Sequence, residues 1–156
     1  MVMMKMRQKK MGVVLRVRKL REDEAQSRLV VTQTEVAEER SQMARCEKEM
    51  IRSFSKMEQL GGEGGATSDL RTYYDYIEKL RIDRGLSEIR MTQLGERLNV
   101  QREQVVHRST ERKAVETVLD TIADRQREAD AQQEQKRLDD TAAQHHFRNQ
   151  QRGKTE

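Results

Sequence analysis

Apolar residues recur along this chain at alternating steps of three and four, in two long stretches on either side of one glycine cluster. In the first stretch, positions seven apart read Leu15, Glu22, Leu29, Val36, Met43, Met50 and Met57. Ala25, Thr32, Cys46 and Leu60 supply the intermediate row. The second stretch reads Ile77, Arg84, Met91, Leu98, Val105, Arg112 and Leu119, with Leu80, Leu94, Val115, Ile122 and Ala129 between them. Such a stripe is too narrow to face a globular core and suits one neighbouring helix. The chain has no proline, so helix can run on until Gly61-Gly62-Glu63-Gly64-Gly65 stops it. Two arms and one break predict an all-α fold, two long helices forming an antiparallel coiled-coil hairpin.

Local chemistry sets the expected boundaries. A basic N-terminal extension occupies 1–13, the first arm 14–60, a glycine-rich turn 61–68, the second arm 69–148 and a flexible tail 149–156. The glycines can take the left-handed conformations that close a helix, and Thr67, Ser68 and Asp69 are the N-cap candidates for the second arm. The arms are unequal, so either the first residues extend the first arm, the C-terminal end projects alone, or Gly85 and Gly95 bend the second arm.

The seam is interrupted. Glu22, Glu39, Arg84, Gln101, Arg108 and Arg112 fall at or near its rows, where charge is costly unless it reaches water or a partner. The methionines of the first arm either fill a loose two-helix core or offer an adaptable stripe to a partner.

Composition excludes an ordinary globular domain: 34% of residues are apolar, 3% aromatic and 37% charged. A hairpin of this make-up has no cleft for a substrate, so its faces and ends are what other proteins would read. It is expected to be a monomeric rod. Eight cations and no acid precede Glu22, while residues 114–140 carry twice as many acids as bases. An antiparallel turn would lay these two regions side by side, or the cations would meet an acidic protein surface. Nucleic acid is not an expected partner, because no aromatic residues interleave with the basic ones.

No residue pattern marks an enzyme, a cofactor or a metal site. The glycine cluster lacks the Gly-Lys-Ser/Thr of a phosphate loop. His145 and His146 are adjacent and point to different helix faces, and His107 has no histidine or cysteine at ligand spacing. Cys46 is the single cysteine, which rules out an intrachain disulfide and suits a reducing cytoplasm. The apolar run from Met11 to Leu15 is too short for a signal core or a membrane span, so a soluble chain without direct membrane insertion is expected.

The order of these features resembles the FliJ/YscO family, the small helical-hairpin proteins of bacterial type III export, flagellar and virulence-associated. Val14-Leu15-Arg16-Val17-Arg18-Lys19, followed by Glu22, Glu24, Ala25 and Leu29, is similar to the family's first helix. The glycine-rich break followed by Leu70, Tyr73, Tyr76, Ile77 and Leu80 looks like its restart, and Glu134-Gln135-Lys136-Arg137-Leu138-Asp139-Asp140 with Ala142 and Ala143 resembles its closing segment. The resemblance covers roughly residues 13–150.

It implies a non-enzymatic stalk, shaped like the central shaft of rotary ATPases, that couples the hexameric export ATPase to the export gate membrane protein. The location implied is cytoplasmic, peripheral to the inner-membrane export apparatus. The resemblance implies that the paired chain ends enter the ATPase; on charge, the residues expected to make that contact are Arg16, Arg18, Lys19 and Arg21 beside Lys136 and Arg137. The hairpin tip would meet the gate through Tyr73, Tyr76, Ile77 and Leu80, although Tyr73, Ile77 and Leu80 read equally as the restart of the seam. Tyr74 and Tyr76 cannot both share that seam. Secretion chaperones are further partners the family suggests. The competing readings are a self-associating structural coiled coil and a chaperone that escorts export subunits. Between flagellar and virulence systems the residues do not decide, though the opening segment leans to the latter.

Overall fold

The computed structural model describes residues 2–152, and the side chains of 6–148. Two long helices pack against each other, α1 over Val2–Gly62 and α2 over Thr67–Arg152. Helix therefore covers residues 2–13 as well as the expected first arm, and α2 continues beyond 148 to Arg152. Of the tail expected at 149–156, residues 153–156 lie outside the described residues. α2 runs as helix through Gly85 and Gly95.

The chain divides into two compact units, one of Glu22–Arg108 and one of Met1–Arg21 with Ser109–Glu156. In the first, which holds the turn, the rows of α1 read from Glu22, Ala25, Leu29 and Thr32 through to Ser53, Met57 and Leu60. Each of these positions is buried or half-buried. The facing rows of α2 run from Leu70, Tyr73, Ile77 and Leu80 to Val105 and Arg108 under the same alternation. The core is lean: Ala25, Cys46, Ile77, Leu80 and Leu94 are its buried apolar residues, joined by Thr32, Ser53 and Ser87. Small side chains at so many seam positions let two backbones approach, at the cost of buried apolar area.

The reversal takes four residues. Leu60 is the third residue from the helix end, and its carbonyl accepts the Gly65 N–H at 2.8 Å while Gly64 sits at φ +70°. This six-to-one bond around a left-handed glycine is the Schellman closure. A Cβ at Gly65 would lie 3.0 Å from the Leu60 carbonyl oxygen, so that position admits no side chain without movement. α2 opens one residue earlier than its best capping residues allow. Ala66 precedes the helix and its carbonyl accepts from Asp69 and Leu70, which places Thr67, Ser68 and Asp69 inside the first turn rather than at the N-cap. Asp69 still favours the positive end of the helix dipole from there.

In the second unit, Met11, Leu15 and Arg18 continue the row of α1, and Arg112, Val115, Leu119, Ile122 and Gln126 that of α2. Coverage stops there. Ala129, expected on the seam, is exposed, as is every described side chain from Arg127 to Arg148. The register joining Arg18 to Glu111 sets Ala129 level with the start of α1.

Candidate functional site

In the turn-bearing unit, the tyrosines divide by helical phase. Tyr73 stands on the seam row and is half-buried, whereas Tyr76, three residues on, is 41% exposed and Tyr74 faces solvent more fully still. Ile77 is 2% exposed and Leu80 is buried. These two are thus core residues of the hairpin, and they cannot meet a partner unless the helices separate. Two shallow grooves meet at Tyr73 and Tyr76: one reaches across to Ile51, Arg52, Ser53 and Lys56 of α1, the other to Leu60, Asp69 and Thr72. Ile51 is a member of this surface that the periodic pattern did not single out. It follows Met50 directly and so falls off the seam, and a large aliphatic side chain off the seam was the signal available.

The cations of the other unit divide as well. Arg18 pairs with Glu111 at 2.8 Å and Lys19 with Glu116 at 3.7 Å, while Glu116 also holds Arg112 at 2.6 Å. The antiparallel arrangement thus matches part of the basic segment to acids of α2. Arg16, Arg21, Lys136 and Arg137 form no ion pair among the described residues. Arg16 and Arg21 are not brought beside Lys136 and Arg137. The closing pair lies twenty-five residues beyond Glu111 on the same helix, about 37 Å along its axis.

Between these surfaces in sequence lie charged seam positions, and the structure gives Glu39 and Arg84 partners across the seam, with Arg97 pairing beside it. Glu39 receives Arg90, Arg84 lies 3.2 Å from Glu47, and Arg97 reaches Glu35 at 3.1 Å. Ser87, 1% exposed, accepts a hydrogen bond from Arg90 at 3.0 Å. Hydrogen bonds from Arg90 and then Ser87 hold the Glu39 carboxyl below its ordinary range, and the same carboxylate raises Arg90. The amide oxygen of Gln101 is buried without a hydrogen-bond partner among the described residues. No group of three metal-binding side chains occurs among the described residues, and no described helix is long and apolar enough to cross a membrane.

Two long helices packed against each other, with tyrosines just after the turn, fit the helical hairpin that the resemblance implies. The family model described as flagellar FliJ protein matches residues 7–151. The chain belongs to the FliJ family. No curated protein and no solved structure matches it. Membership makes this FliJ-family chain a flagellar export-associated protein, a structural component rather than a known enzyme. The family is flagellar by description, against the lean of the opening segment. In this FliJ-family chain the exposed tyrosines and the four cations without an ion pair among the described residues fall in different compact units.

Proposed function

We propose that this protein is a stalk that links the hexameric export ATPase to the export gate at the cytoplasmic face of the inner membrane. The observation that carries the reading is the bare end of α2: from Arg127 to Arg148 every side chain is exposed, with Lys136 and Arg137 free of ion pairs among the described residues. A single helix without a packing partner is marginal in water, so such a stretch gains most by entering another protein. The ATPase contact is assigned to Lys136 and Arg137, with Arg16 and Arg21 as the second set. Arg18 and Lys19 serve mainly the hairpin itself. At the turn, Tyr76, Tyr73 and Ile51 are the gate-facing candidates, while Ile77 and Leu80 support them from beneath.

The test is affinity for the ATPase hexamer with the full chain and with Lys136→Glu/Arg137→Glu, measured across a salt series. Loss of binding with unchanged helical content supports the stalk. Unchanged affinity, or binding indifferent to salt, removes it, since exposed charge pairs are screened beyond a Debye length of about 8 Å.

A further inference from the structure

Beside the seam of the unit that holds the chain ends runs a groove lined by Arg7, Met11, Val118, Thr121, Ile122 and Arg125. We propose that this groove receives an acidic amphipathic helix of a partner protein as a third strand. Its floor is apolar, formed by Met11, Ile122 and Val118, and Val118 is 45% exposed although it lies next to the seam. The lining residues keep coiled-coil spacing: Arg7 and Met11 are four apart, and Val118, Ile122 and Arg125 are separated by four and three. A third helix with the same 3.5-residue repeat can lay its apolar row along that floor.

Charge selects the occupant. Neither Arg7 nor Arg125 forms an ion pair among the described residues, in contrast to Arg18, Lys19 and Arg112 of the same unit, whose carboxylate partners are in place. No acid lines the groove. Asp120 and Asp124 each stand two residues from Ile122, and side chains two apart on a helix do not share a face. Two guanidinium forks bordering an apolar floor match carboxylates spaced along a helix whose inner row is Leu-like. An anionic lipid surface would satisfy the arginines and leave a floor recessed between two helices unfilled, and no aromatic residue lines it to sit at a bilayer interface. The proposal goes beyond the ATPase reading and uses none of the four cations assigned to it.

The experiment titrates the full-length protein into a fluorescent peptide of about three heptads, with Leu at the a and d positions and Glu at e and g. A second peptide carries Lys in place of Glu, and vesicles of phosphatidylglycerol and a light-scattering series complete the set. The acidic peptide is expected to bind and the lysine peptide not. Arg7→Glu/Arg125→Glu should weaken binding by about tenfold or more, consistent with two lost charge-assisted contacts. Val118→Ser, which keeps both arginines and removes floor, should weaken it as well, with helical content checked for each variant. Equal binding of the two peptides, indifference to these variants, capture by the vesicles in place of the peptide, or a self-association that the same variants abolish would each overturn the proposal. Lys136→Glu/Arg137→Glu leaves the groove intact, so the ATPase reading and this one fail separately.

Discussion

Glu39 and Arg90, fifty-one residues apart, meet at 2.8 Å across the seam, with Ser87 hydrogen-bonded to the same guanidinium beneath them. A carboxylate on a core row is thereby kept charged, with its side chain only 17% exposed. Twenty-one residues away on each helix, Arg18 and Glu111 make the same bridge with the charges exchanged.

The Glu39 carboxyl is held below its ordinary value of 4.5 by Arg90 and Ser87. A group whose folded pKa is depressed adds stability above its unfolded pKa and loses it as pH falls through the folded value. Glu39→Gln should therefore melt earlier than the parent at neutral pH, and the gap should close in acid below that ordinary value. Paired melting curves at several pH values check this. A gap that stays constant down to strong acid would assign the effect to packing.

Gln101 occupies the seam between Leu98 and Val105 with its amide oxygen unsatisfied. Gln101→Leu removes a buried unpaired acceptor and adds apolar contact, for an expected gain of about 1–2 kcal/mol in denaturant unfolding. No gain would mean that the amide is satisfied by water.

Ile77 and Tyr76 are neighbours with opposite exposure, 2% against 41%. Ile77→Ala should cost about 2–5 kcal/mol of stability, as large-to-small changes at buried positions do. Tyr76→Ala should leave the melting temperature nearly unchanged and weaken gate binding by roughly 1–2 kcal/mol. A folding defect in the tyrosine variant, or unchanged gate affinity, would return Tyr76 to a purely structural part.

Cys46 is free and buried on the seam. Its reaction with a maleimide should be slow in the native protein and limited by local opening of the turn-bearing unit. Gln101→Leu should slow it further if both report the same opening. Labelling at the rate of an exposed thiol would show that the seam does not shield this position.

Much of the fold was legible from the sequence because helix periodicity is a local property. Alternating steps of three and four choose the inward face one residue after another, and that is why Leu15, Ala25, Leu29 and Val36 on α1, and Ile77, Leu80, Met91 and Leu94 on α2, are covered as the pattern requires. The absence of proline and the glycine cluster set where helix runs and where it stops. Composition excluded a globular core by the same kind of local argument. The tertiary structure alone decided the stagger between the arms, which depends on a turn closed by Gly64 in a left-handed conformation and Gly65 against Leu60. A shift of one residue in that turn would give Glu39 a different neighbour from Arg90. For that reason the sequence could place charges on the seam and not name their partners. It could also gather three tyrosines near the turn and not say that Tyr76 faces outward while Ile77, one residue on, is sealed.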